Sequence, residues 1–141
     1  MARFKWTTVH SVYLPEIDAE HRALFSLGEE LQKGLEKGTE PEALRPVLVN
    51  LIATAEAHFK HEERIMKAAH YAAYAWHKKQ HDAVRWRVQR MVKRIDAGQP
   101  VAAEELLRFL SEWLKTHTQV SDRMMGAYIR NVIRFNTAIA S

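Results

Sequence analysis

The chain has 141 residues, 47% of them hydrophobic, no cysteine, and a formal charge of +4 from 21 Lys and Arg against 17 Asp and Glu. That length is enough for one core of useful size, and the lack of thiols excludes disulfides, iron–sulfur clusters and thiolate zinc sites. Met1 to Tyr13 lack the apolar stretch of a signal peptide and no run approaches transmembrane length, so the expectation is a cytoplasmic protein that does not enter the membrane.

In chain order, residues 1–17 read as an arm, with Trp6, Val12, Tyr13 and Leu14 available for packing. Asp18 is the expected N-cap of a first helix that runs to about Lys37 and stops at Gly38. Thr39 and Glu42 have capping-box spacing, and Pro41 suits the first turn of a second helix reaching about Lys67, its start bent by Pro46. A third helix spans about Ala72 to Ala97 and is ended by Gly98 and Pro100. A fourth begins near Val101 and passes through His117 towards Asp122, and an amphipathic segment from about Arg123 to Ile139 closes the chain. The expected class is all-α. It is an antiparallel up-down-up-down four-helix bundle in one domain over 1–141, with an arm (1–17), a bundle (18–122) and a short C-terminal helix (123–141). The stripe Tyr128, Val132, Phe135 and Ile139 is expected to pack on its own chain rather than on a second copy, which leaves a monomer or a weak homo-oligomer.

The seams carry the chemistry. Ile17, His21, Leu24, Gly28, Leu31 and Leu35 step by three and four along the first helix. Leu51, Ala55, His58, Glu62 and Ile65 do so on the second; Tyr74, His77, His81, Val84 and Val88 on the third; Leu106, Leu110, Trp113 and His117 on the fourth. Imidazoles and carboxylates therefore stand where leucines are expected, and burial without partners would be costly. Residues four apart differ by about 40° and one turn, so His58 with Glu62, and His77 with His81, can each reach one centre. His117 and Asp122 are five apart, about 140° on an ideal helix. They share a site only if the helix loosens or the carboxylate reaches round.

Seven donors exceed what one first-row ion accepts. With two bridging carboxylates and a bridging oxygen, five imidazoles fill all but one position of two six-coordinate ions, and imidazole with carboxylate suits iron. The Glu-x-x-His pairs of carboxylate-rich di-iron bundles are absent, and His61-Glu62-Glu63-Arg64-Ile65 fails the zinc-protease pattern at its last position. His10, His61 and His70 are not read as ligands.

The text Trp6, Ile17-Asp18-Ala19-Glu20-His21, His58-Phe59-Lys60-His61-Glu62-Glu63, His77-Lys78-Lys79-Gln80-His81 and Trp113-Leu114-Lys115-Thr116-His117 through to Asp122 resembles the hemerythrin family, specifically its single-domain bacterial members. The resemblance covers roughly residues 6–128. It implies a pair of iron ions (Fe2+/Fe3+) joined by an oxo or hydroxo group, with metal ligands His21, His58, Glu62, His77, His81, His117 and Asp122. His77, His81 and His117 would hold one iron, His21 and His58 the other, which keeps a vacancy, and Glu62 and Asp122 would bridge. It also implies reversible dioxygen binding for transport, storage or buffering, and no enzymatic role beyond weak peroxidase- or oxidase-like activity.

After His117, relatives often carry aliphatic residues that wall the oxygen pocket, whereas this chain has Thr118 and Gln119. Thr118, Gln119 and Ser121 are the candidate pocket wall. A hydroxyl there either stabilises bound oxygen species or bonds back to the preceding turn. The competing functions are an oxygen or redox sensor acting on a separate protein partner, and a di-iron enzyme reducing peroxide or nitric oxide. The bases on the third helix (Lys78, Lys79, Arg85, Arg87, Arg90, Lys93, Arg94) and near the end (Arg123, Arg130, Arg134) read as a solvated face, with nucleic acid disfavoured.

Overall fold

The computed structural model describes residues 3–99 and 101–140, with side chains through residue 136, and every regular element among them is helical. The helices are α1 (Pro15–Glu36), α2 (Pro41–Ala68), α3 (Tyr74–Asp96), α4 (Ala102–His117) and α5 (Arg123–Ala140). A 3-10 turn at Thr8–His10 lies in the arm, and a π-helical turn at Thr118–Asp122 joins α4 to α5. Among these residues no helix is long and apolar enough to cross a membrane.

The helix ends follow local chemistry. Pro15 and Pro41 occupy first-turn positions, where a fixed φ helps and the missing N–H is not needed. Gly38 and Gly98 (φ 72° and 79°) turn the chain out of α1 and α3 through left-handed backbone; Pro100 is outside the described residues. Two capping expectations are corrected. Leu14, not Asp18, precedes α1, because Pro15 starts the helix earlier; the Asp18 carboxylate instead accepts the Val12 N–H (2.8 Å) and the Ser11 hydroxyl (2.6 Å), tying the arm down. Glu40 holds the cap position of α2 and no side chain caps that helix, because Thr39 stands one residue too early. Pro46 lies inside α2 without ending it. His70 lies before α3 with φ 55°.

From α1 to α4 each helix packs on the next, and α4 returns to α1. Connections this short place the helices up-down-up-down. Leu24, Phe25, Leu106 and Leu107 are at most 1% exposed at the centre of the main cluster. Each such side chain is worth about 1.5–3 kcal/mol on burial, more than helix propensity supplies. A smaller cluster of Met66, Met125 and Ile129 lies where α5 meets α2.

The expected C-terminal helix is present as α5. His117, Thr118 and Arg123 all keep right-handed helical backbone, so α4 runs through the π-turn into the 18 residues of α5. Tyr128 packs on Tyr71 and its hydroxyl donates to the Ala69 carbonyl (2.7 Å), as expected of a stripe packed on its own chain. Phe135, by contrast, is 64% exposed, and the Ile139 side chain is outside the described residues.

The arm clasps the π-turn. His10 is buried against Phe25, and its Nδ1 lies 3.1 Å from the Thr118 hydroxyl oxygen. Arg123 donates to the Val9 carbonyl and Arg130 to the Val12 carbonyl (2.6 Å). A Cβ on Gly126 would stand 2.6 Å from that same Val12 oxygen. The close approach explains a glycine inside a helix, where it costs about 1 kcal/mol relative to alanine.

Candidate metal centre

His21 on α1, His58 and Glu62 on α2, His77 and His81 on α3, His117 at the end of α4 and Asp122 at the end of the π-turn meet in the bundle interior. None is more than 4% exposed. They share the seam period with the leucines, so the apolar burial that assembles the bundle also carries them inward. The spacing of His117 and Asp122 is accommodated by the π-turn. Its i→i+5 bonding adds a residue to the turn and brings position 122 back over 117.

The two carboxylates divide the cluster. Glu62 Oε2 faces Nε2 of His58 (3.1 Å) and His21 (3.5 Å), while Oε1 faces Nε2 of His81 (3.1 Å) and His77 (3.5 Å). Asp122 Oδ2 faces His21 (3.0 Å), and Oδ1 faces His117 (2.9 Å) and His77 (3.0 Å). Two groups result, His21, His58, Glu62, Asp122 and Glu62, His77, His81, His117, Asp122, sharing both carboxylates. Yet Nε2 of His21, His77, His81 and His117 and all four carboxylate oxygens have no hydrogen-bond partner: the distances fit, the directions do not. A buried polar atom left so costs about 1–3 kcal/mol. Eight of them aimed at common points fit a bound cation pair.

Three histidines are oriented from behind. His58 Nδ1 bonds Glu20 (2.6 Å), His81 Nδ1 bonds Glu63 (2.8 Å) and His117 Nδ1 bonds the Gln80 side-chain oxygen (2.9 Å). An Nδ1–H donated outward leaves the Nε2 lone pair for a metal. Arg85 in turn donates to Glu63 (2.9 Å), and Glu20 also holds His61 Nδ1 (2.6 Å). The sequence reading missed Glu20 and Gln80. Their only signal is adjacency to a seam histidine, and each serves a histidine on a different helix. Glu20→Ala is expected to weaken metal affinity about 10–100-fold, the usual effect of losing such a partner, measured by competition with a chelator; unchanged affinity would mean that the contact is incidental.

Without a cation the electrostatics are inverted. Burial pushes the His21 and His77 imidazoles down, but Asp122 and Glu62 outweigh it and carry both up to about 9. His58 is likewise opposed by burial yet raised to about 10 by Glu62 and Glu20. Burial alone would raise Glu62 and Asp122; the surrounding imidazoles hold both well below the usual carboxylate range. Protons stand in for positive charge.

Of the three candidate wall residues, Thr118 takes the back-bonding alternative, Gln119 is exposed and Ser121 bonds Gln80. Thr118 is buried, but its hydroxyl donates back to the Leu114 carbonyl (2.7 Å) and faces His10. Ser121 donates to the Gln80 oxygen (2.6 Å) that also receives His117. The wall beside the cluster is mainly apolar instead. A cavity of about 380 Å³ is lined by Leu24, Phe59, Val84, Trp113 and Leu114 among others. Phe59 stacks on His81 and Trp113 on His117, both with ring centroids 4.2 Å apart.

Comparison with known proteins agrees with this geometry. The family model described as "Hemerythrin HHE cation binding domain" matches residues 13–129. The chain is 32% identical over 124 residues to a bacteriohemerythrin of Clostridium acetobutylicum, covering 85% of this chain and 96% of that protein. It is 28% identical over 127 residues to a bacteriohemerythrin of Methylococcus capsulatus, covering 89% and 96%. To a myohemerythrin of Theromyzon tessulatum it is 27% identical over 119 residues, covering 84% and 88%.

Proposed function

Because the chain belongs to the hemerythrin HHE cation-binding family, we propose that it is a non-haem di-iron protein that binds dioxygen reversibly, as a carrier, store or buffer. The observation that carries the reading is the split of Glu62 and Asp122, one oxygen of each towards either imidazole group. His77, His81 and His117 would hold one ion and His21 and His58 the other, with Glu62 and Asp122 shared, so that the ion with fewer imidazoles would be the one open to an exogenous ligand. Two ferrous ions supply, when bound, the two electrons on which reversible dioxygen binding rests.

The chain's own residues do the remainder. Glu20, Glu63 and Gln80 keep the Nδ1 protons on the outer side of His58, His81 and His117 and fix the rings. The cavity beside Phe59 and Trp113 is mainly apolar, with Glu56, Arg85 and Gln89 also in its lining, and its size suits a small uncharged molecule. The Thr118 and Ser121 hydroxyls, which would favour an oxidase-like site if free, are engaged elsewhere. That arrangement favours binding over turnover, and supports the carrier reading above the enzymatic one.

The test is iron content per chain, with optical spectra of the reduced protein cycled between argon and air. Two irons and a charge-transfer band that appears in air and vanishes under argon are expected. Direct passage to a stable oxidised spectrum would overturn reversible binding and favour redox sensing or catalysis.

A further inference from the structure

The outer face of α3 carries a second seam. Trp76, Lys79, Ala83, Trp86, Arg90 and Lys93 are all exposed and step by three and four, opposite the seam of His77 and His81. Trp76 and Trp86 are 46% and 60% exposed, and the Arg90 guanidinium lies 4.6 Å over the Trp86 ring. Other bases of this helix are neutralised: Lys78 by Asp82, Arg85 by Glu56, Glu63 and Asp82, and Arg94 by Glu105. Asp96 is taken by Arg45. Lys79, Arg90 and Lys93 have no carboxylate partner among the described residues, and the neighbouring Arg87 rests on Phe109 and acts on Glu105. A merely solvated face requires no tryptophan, and Trp with Arg is the composition of interface anchors.

We propose that this stripe docks an acidic one-electron-transfer protein that returns the oxidised centre to its ferrous state. The inference rests on the di-iron reading above. Three physical points select the partner. Three unpaired cations repel a second copy of the same face and steer an acidic surface towards it. The stripe is about 26 Å long and one helix wide, roughly 300 Å², so its area matches a transient encounter and falls well short of a stable dimer. The opposite face of α3 bears His77 and His81, which places the docking stripe about one helix thickness, ~10–12 Å, from the cluster. Each donor gives up one electron, so two successive encounters reduce two ferric ions to ferrous. Any proton needed for charge balance comes from solvent.

The experiment uses the iron-loaded protein and an acidic plant-type ferredoxin, a low-potential one-electron donor. Two quantities are read: affinity for oxidised ferredoxin by titration, and the rate at which reduced ferredoxin reduces the oxidised protein. Both are expected to fall at least tenfold in the double variant Arg90→Glu, Lys93→Glu, and on going from about 20 to about 200 mM salt, where screening shortens to less than a helix diameter. Trp86→Ala is expected to lower both about fivefold, with iron content unchanged. Affinity and rate that ignore charge reversal would overturn the docking face while leaving two irons in place. Tighter sedimentation with phosphatidylserine vesicles than with ferredoxin would overturn it in favour of a lipid surface. Stripe-dependent binding by a chain that holds no iron pair would sink the di-iron reading, and electron transfer with it.

Discussion

Glu62→Gln is expected to reduce iron from two per chain to one or none and to remove most of the thermal stabilisation that metal confers. The Glu62 carboxylate is fully buried and touches both groups, facing His21 and His58 with one oxygen and His77 and His81 with the other. The amide keeps the volume and removes the negative charge, and only one of its two ends can accept. Metal that binds only the folded state adds about 4 kcal/mol at a thousandfold excess over Kd, which corresponds to roughly 10–20 °C of Tm for a chain of this size. Loaded wild type should therefore melt far above loaded Glu62→Gln. The exposed Glu112 gives the control, since Glu112→Gln should leave both iron and Tm unchanged. A Glu62→Gln protein that retained two irons would refute the bridging role.

Stripping the metal should reverse the pH dependence of stability. His21 and His77 at about 9 and His58 at about 10 stand above their ordinary 6.5. The folded chain then binds these protons more tightly than the unfolded one, a contribution complete below pH 6.5 and lost as pH rises through 9 to 10. Glu62 and Asp122 act at the other end. Both are depressed from 4.5 and 3.8, so their contribution is present above about pH 4.5 and lost only in strong acid. The chelated protein should be most stable between about pH 4.5 and 6.5 and weaken towards pH 10. In the loaded protein the cation replaces those protons, and stability should instead fall as pH drops and protons compete for the imidazoles. Urea midpoints at pH 5.5, 7.5 and 9.5, with and without metal, decide the matter. Parallel curves would mean that the imidazoles are not protonated in the metal-free cluster.

Much of the architecture and the cluster was legible in the order of residues. A period of three and four is a property of one helix alone, so the positions of His21, His58, Glu62, His77, His81 and His117 on inward seams, and the glycine and proline boundaries, could be read locally. The spacing from His117 to Asp122 showed that something non-α was required there, without saying what. Tertiary structure decided the rest. Which helix presents Glu20 to His58, Glu63 to His81 and Gln80 to His117 depends on the rotation and crossing of neighbouring helices, which no single-helix period encodes. Thr118 could equally have faced the cavity or its own helix, and packing of the arm through His10 settled it. The π-turn and the α5 helix that follows it are held by contacts from residues more than a hundred positions away in sequence, His10 on the turn and Val9 and Val12 on α5. Local spacing dictated which side chains turn inward; only long-range packing fixed their partners and the turn that brings Asp122 among them.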